Sequence, residues 1–273
     1  MKPRPALEAL DYAGVVAFER WLLARPNRRG RTLSPATVRT YMSTLRGYVA
    51  EARRAGLVVH SPFQDYRPPK RRSAAMTFLT AEEVDAWFGV ECDSRREREV
   101  RDYFALICVT GLRRGDALRL TGEHFAYDAG GGLRLRLTPE KRHRDPNPAR
   151  LDLPLEGLFG GRAVGIVAPR LRALAAASDR IFGRLPSERA AYETMDRLAH
   201  RAGITRCKVT PHVGRHTFAT QCLNAGLRLE HVSAMMGHRS TEMTSVYARV
   251  LAESLDPAVR EAWAARERRG EVE

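Results

Sequence analysis

The sequence is poor in the residues that build metal sites and covalent cross-links. Its four cysteines, Cys92, Cys108, Cys207 and Cys222, show no CxxC spacing, so neither a zinc site nor a disulfide framework is indicated. Its eight histidines contain no HExxH or similar ligand pair, which leaves metal chemistry without sequence support. No apolar run approaches the roughly eighteen residues that a membrane span requires. The opening MKPRPALEAL has no signal-peptide core, so the expected location is cytoplasmic, with no membrane partner. Lysine is also scarce. Of 46 basic residues only Lys2, Lys70, Lys141 and Lys208 are lysine.

What the sequence has is positive charge and enough apolar residues for a core. The formal charge of +14 works against compaction unless something anionic offsets it, and nucleic acid or an anionic membrane surface are the usual candidates. With 273 residues, 44% of them apolar, the chain is long enough for one large domain and one small one. No internal repeat is visible, and the one biased tract is the arginine-rich EAWAARERRG near the C-terminus.

The first domain reads as two helices. Residues 8–24 carry Leu10, Val15, Phe18, Trp21 and Leu22 on one stripe. After the basic loop PNRRGRT, Ser34-Pro35 opens a second helix to about residue 55, with Val38, Tyr41, Leu45, Tyr48 and Val49 on one face and arginines on the others. Residues 60–75 hold three prolines and four basic residues, the composition of an extended linker. The expected division is a helical domain at 1–66, a basic linker at 67–76 and a second domain at 77–273. Thr80 with Glu83 forms a capping box for the first helix of that second domain.

A helix over 97–109 is expected to end at Gly111, with another beginning in LRRGDALRL. Leu133, Leu135 and Leu137 alternate with arginines, and Leu151, Leu153 and Leu155 alternate likewise, which predicts a β-hairpin joined by the basic turn PEKRHRDPNPAR. Helical patterns then cover 164–177, 187–202, 211–225, 229–236 and 241–253. The fold class is therefore mainly α with a small β-hairpin or sheet.

At 210–215, Thr210 serves as an N-cap and Pro211 as the first helical residue, which puts His212 and Arg215 in the first turn. Residues three apart share a helix face, so imidazole and guanidinium stand beside free backbone N–H groups at the positive end of the helix. That arrangement suits an anion, a phosphate above all.

Four pieces then fall in order: TGLRRGDALRL at 110–120, a lysine in the basic turn, HVGRHTFAT at 212–220, and MMGHRSTEMTSVY at 235–247, with its tyrosine nine residues after the Gly-His histidine. This pattern resembles the tyrosine recombinase, or phage integrase, family over nearly the whole chain. The resemblance implies a short helical DNA-binding domain and a catalytic domain that cleaves one DNA strand through a tyrosine, forming a 3′-phosphotyrosyl bond and releasing a 5′-hydroxyl. That bond keeps the energy of the phosphodiester, so neither ATP nor a metal is implied.

Residue by residue, Tyr247 matches the nucleophile, and Arg113 and Arg215 match two arginines that grip the scissile phosphate. Forked, permanently charged donors suit the charge that builds there. His212 either accepts the phenol proton or holds the phosphate, and His238 matches a hydrogen-bond donor to it. Lys141 matches a general acid in the hairpin, a role an arginine cannot fill. Asp116 sits where an acidic residue supports the first arginine, and His216 reads as structural.

Phosphate contacts that position the DNA are expected from Arg39, Arg46 and Arg53 of the second helix and from Lys70, Arg71 and Arg72 of the linker. The N-terminal domain reads as an abridged form of the family's, with a fragment of a longer protein as the alternative. The partners implied are double-stranded DNA and three further copies, a homo-tetramer assembled on two DNA sites, with accessory DNA-bending proteins and a nucleoid location. The competing reading is a catalytically silent relative that occupies recombination sites and regulates a full-length enzyme. A third is a topoisomerase-like relaxing enzyme.

Overall fold

The protein is seen in a computed structural model that describes residues 10–26, 30–68, 76–140, 150–183 and 185–238. The chain divides into two compact units between residues 75 and 76.

In the first unit, α1 (Tyr12–Ala24) begins at Asp11, whose carboxylate accepts the Gly14 N–H at 2.7 Å. The next helix, α2 (Pro35–Arg54), begins at Ser34, whose hydroxyl accepts the Thr37 N–H at 3.2 Å, with Pro35 at a position that needs no N–H. Val15 and Leu22 of α1 pack with Val38, Met42 and Val49 of α2 and with Phe63 and Tyr66 beyond it.

The apolar stripes read from the sequence rotate slightly in the structure. Met42 takes the buried place, while Trp21, Tyr41 and Tyr48 are 49%, 48% and 68% exposed. Amphipathic aromatics tolerate this, because a ring can lie along the rim of a core with its polar end in water. Arg46 closes the unit: its guanidinium donates to the Phe63 carbonyl at 2.8 Å and the Tyr66 carbonyl at 3.4 Å. Burial, with Glu19 alongside, pushes the Tyr66 phenol up to about 12.

The second unit is built around one buried helix. Its first helix, α3 (Ala81–Gly89), starts with both halves of the Thr80–Glu83 capping box in place. Next, α4 (Arg95–Thr110) is buried along almost all of its second half and packs against α3, α6, α7 and α8. Trp87 meets Phe104 edge-on, with ring centroids 4.6 Å apart, and its indole N–H reaches the Arg101 carbonyl at 3.0 Å.

A short helix, α5 (Arg114–Leu118), leads to a three-stranded antiparallel sheet in the order β1 (Phe125–Tyr127), β2 (Leu133–Leu137), β3 (Leu151–Pro154). The expected hairpin forms with Leu135 opposite Leu153 and Leu137 opposite Leu151, so the alternating leucines face the core. The first strand, only three residues long, is too short for a periodic signal and has no counterpart in the sequence reading.

Four helices follow: α6 (Arg162–Ala173), α7 (Glu188–Arg201), α8 (Pro211–Asn224) and α9 (Leu229–Met236). The sixth starts two residues earlier and stops four earlier than its pattern suggested. The helix expected at 241–253 lies outside the described residues.

A glycine turn holds the second unit in register. Gly111 ends α4 in the left-handed conformation at φ 66°, and a Cβ there would overlap the Phe218 ring of α8. Its substitution by alanine adds left-handed strain of about 1–2 kcal/mol to that overlap. Gly47, by contrast, lies inside α2 with nothing within 4 Å of an added Cβ. Gly111→Ala is expected to lower the urea midpoint of the second unit, whereas Gly47→Ala raises that of the first, stabilising it by about 0.5–1 kcal/mol. Equal effects of the two substitutions would contradict the packing described.

On α8 the rings of His212 and His216 meet at 4.1 Å, and burial, with His212 and Arg215 nearby, pulls the His216 pKa down to about 4. The unfolded chain therefore binds a proton at this residue between about pH 6.5 and 4 that the folded chain refuses. The stability it contributes is full above pH 6.5 and is lost as the pH falls toward 4. His216→Gln should shrink the drop in urea midpoint between pH 7 and pH 4.5; an unchanged drop would place the acid sensitivity elsewhere.

Candidate active site

The site grows from the start of α8. Thr210 caps it, accepting the Val213 N–H at 3.3 Å, and Pro211 occupies the first turn. His212 is exposed there, while Arg215 turns inward and is only 6% exposed. The two residues expected to share a face are thus divided between solvent and core.

The Arg215 guanidinium is the hub. It donates to the Gly111 carbonyl, to the Met236 carbonyl at 2.8 Å and to Nε2 of His238 at 2.8 Å. A guanidinium has no acceptor, so Nε2 must accept and the His238 proton sits on Nδ1. One side chain from 212–220 thereby draws the 110–113 turn and the 236–238 turn together.

Both turns are shaped for this. Gly237 adopts φ 64° and its N–H bonds the Ala234 carbonyl, while the His238 N–H bonds the Ser233 carbonyl at 3.0 Å. This Schellman ending delivers the imidazole just beyond α9. On the other side Arg113 is the N-cap residue of α5, two positions past the Gly111 carbonyl. It is half-buried, and its guanidinium makes no hydrogen bond or ion pair with another described residue. Its neighbour Arg114 pairs with Glu188 at 3.1 Å.

Asp116 is 2% exposed, and its partner is Arg119 rather than Arg113. Its Oδ1 accepts from Arg119 at 3.0 and 3.2 Å and from the Glu140 backbone N–H at 2.9 Å. The carboxylate thus supports the site from a different direction than expected: it holds the end of β2, not the first arginine. Arg119 went unread in the sequence, although its spacing of three from Asp116 within a helix was a usable signal.

Electrostatically the site repels protons. Partial desolvation of the ring, which meets His216, and the Arg215 charge lower the pKa of His212, which favours its neutral, proton-accepting form at neutral pH. Lys141 and Tyr247 lie outside the described residues, but Glu140, which precedes Lys141, is held beside α5. Of the expected DNA contacts, Arg53 is exposed and Arg39 half-buried, Arg46 is engaged with the Phe63 and Tyr66 carbonyls, and Lys70, Arg71 and Arg72 are outside the described residues.

Comparison with known proteins bears on the family and the fold. Residues 172–254 match the phage integrase family and residues 2–68 the phage integrase SAM-like domain. The tyrosine recombinase XerC of Oceanobacillus iheyensis is 31% identical over 260 residues, covering 92% of this chain and 82% of that protein. The tyrosine recombinase XerD of Vibrio cholerae is 27% identical over 261 residues, covering 91% and 80%. Among solved structures, the XerH site-specific recombinase bound to palindromic difH substrate, a post-cleavage complex, superposes with a TM-score of 0.65 at 20% identity, over 94% of this chain and 74% of that one. A lambda integrase (75–356) dimer bound to a COC′ core site gives 0.68 at 18% identity, over 90% and 82%. These two share the fold with the present chain. With its helical N-terminal unit, its mostly helical second unit bearing one small sheet, and a relative 31% identical along most of both sequences, the chain belongs to the tyrosine recombinase, or phage integrase, family of site-specific recombinases.

Proposed function

We propose that the protein cuts and rejoins double-stranded DNA at specific sites through a covalent bond between Tyr247 and a 3′-phosphate, using neither a metal nor a nucleotide cofactor. The observation that carries this reading is the Arg215 hub, which gathers the Arg113 turn and the His238 turn around one cationic centre.

In the proposed reaction the phenol oxygen of Tyr247 attacks phosphorus and the bond to the 5′-oxygen breaks. An unperturbed phenol, with a pKa near 10, needs a base or a cationic field to react at neutral pH. His212, kept neutral, is suited to take the proton. Arg113 and Arg215 donate to the non-bridging oxygens as charge builds on the five-coordinate centre, and His238 adds a further hydrogen bond. Lys141 gives its proton to the departing 5′-oxygen. A 5′-hydroxyl from a partner duplex then reverses these steps. Because the phosphotyrosyl bond stores the energy of the phosphodiester, rejoining requires no ATP.

The two units correspond in this reading to a DNA-binding domain, residues 1–66, and a catalytic domain, residues 77–273, with the linker between them. Arg39 and Arg53, with Lys70, Arg71 and Arg72, supply phosphate contacts, which position the duplex without reading its sequence. Arg46 already serves its own unit. The chain is a monomer that assembles into a tetramer on two DNA sites, so a stable tetramer in high salt without DNA would contradict it.

The test is a denaturing gel of the protein incubated with DNA flanking its own gene, nicked beside the cut so that cleavage is trapped. Wild type should form a detergent-stable adduct that Tyr247→Phe does not, and an adduct surviving in the variant would move the chemistry to another residue. Arg113→Ala is expected to slow adduct formation by about 10²–10³-fold, the usual loss for one donor to a developing oxyanion. Its urea midpoint should stay near wild type, because the guanidinium makes no bond within the described fold.

A further inference from the structure

We infer that Arg119, acting with Asp116, is a positioning residue for protonation of the leaving 5′-oxygen. The proposal rests on the reading of Lys141 as the general acid.

The geometry is a two-point clamp on the exit of β2. Arg119 Nη2 donates to the Thr138 carbonyl, and its Nε and Nη2 also donate to Asp116 Oδ1. The same oxygen accepts the Glu140 N–H at 2.9 Å. The bonds lie on either side of Pro139, which has no N–H of its own to offer. Pro139 in turn packs on the opposite turn, its Cγ 3.3 Å from the place a Cβ would take on Gly237. Beneath the clamp Gly115 leaves room for the Glu140 carboxylate, which would lie 2.8 Å from an added Cβ.

The last residue before Lys141 is therefore tied to the helix whose N-cap is Arg113 and rests near the turn that carries His238. Three features mark the clamp as more than an exposed surface pair. Asp116 is 2% exposed. It reaches across to another element's N–H instead of capping its own helix. Arg119 bridges a carboxylate and a carbonyl at once, which a planar fork does and the single ammonium of lysine does less well.

A general acid must stand within hydrogen-bond reach of the oxygen it protonates. The clamp fixes the backbone up to Glu140, the residue before Lys141, and the proposed role of Arg119 is exerted through that backbone. In the step concerned the phosphorus–O5′ bond breaks, the electron pair stays on O5′, and a proton from the Lys141 ammonium converts it to a hydroxyl, leaving a neutral amine.

Replacing the bridging O5′ by sulfur separates positioning from general structural support, because a thiolate departs without needing a proton. Single-turnover cleavage is measured on a nicked duplex bearing the site mapped with the Tyr247 adduct, made with either a normal or a 5′-bridging phosphorothiolate linkage. Wild type is compared with Arg119→Met, Arg119→Lys, Asp116→Asn and Lys141→Ala. Asp116→Asn keeps an oxygen for the Glu140 N–H and serves if Arg119→Met fails to fold. Arg119→Met and Asp116→Asn are expected to cut the normal linkage about a hundredfold slower, the loss attached to a misplacement of about 1 Å, and Lys141→Ala at least about a hundredfold slower for want of the acid, yet all three should cut the sulfur linkage within about threefold of wild type. Arg119→Lys should fall between wild type and Arg119→Met on the normal linkage.

If Lys141→Ala is rescued by sulfur but the clamp variants are not, the positioning role is overturned while the general acid stands. If Lys141→Ala is not rescued, the reading of Lys141 fails and the inference falls with it. Wild-type rates for Arg119→Met on the normal linkage would overturn the inference directly.

Discussion

The second unit depends on how one buried cation is satisfied. Taking a guanidinium out of water costs several kcal/mol, roughly, unless hydrogen bonds replace the water, and charge-assisted bonds return about 1.5–3 kcal/mol each. Arg215 meets that demand with two main-chain carbonyls and an imidazole, all from segments distant in sequence. The Gly111 carbonyl is presented by a residue at φ 66° and the 236–238 turn is closed by a residue at φ 64°. The arginine's requirement thus extends outward into two glycine turns.

The same constraint seats α8 on α4. Gly214 precedes the arginine, and a Cβ there would come within 3.0–3.2 Å of Phe104, Ile107 and Cys108. The absence of a side chain lets α8 approach α4 closely enough for Arg215 to reach the end of that helix. Helix packing and site assembly are in this sense one event, and a positively charged centre is built into the core instead of being laid on the surface. In the reaction proposed, a phosphate would meet donors already oriented by the fold, the condition under which electrostatic stabilisation costs little reorganisation.

The arginine excess has two uses that composition cannot separate. Arg170 pairs with Asp102 at 2.9 Å and lies over the Phe182 ring, Arg201 pairs with Glu97 and Asp93, and Arg206 pairs with Glu83. Arg46 and Arg119 are tied to carbonyls. These side chains hold elements of the protein together, so the count of 46 basic residues overstates how many face an anionic partner. Arg113 is the instructive contrast: half-buried, at a helix start, and without a partner among the described residues.

By itself the sequence determined whatever depends on neighbours along the chain. The caps at Ser34, Thr80 and Thr210, the left-handed glycine at 111, the leucine alternation of the hairpin and the spacing of HVGRH from MMGH are all local, and each is legible because a cap, a turn or a pleat is set by residues a few positions apart. Tertiary structure alone decided which of several apolar or cationic residues took a given place. Met42 rather than Tyr41 and Tyr48 entered the core of the first unit, Asp116 chose Arg119 and Glu140 over Arg113, and Arg215 turned inward while His212 stayed outside. Helical periodicity names a face to within a residue or so, whereas burial and pairing depend on groups a hundred positions away, as the bond from Arg215 to the Gly111 carbonyl makes plain.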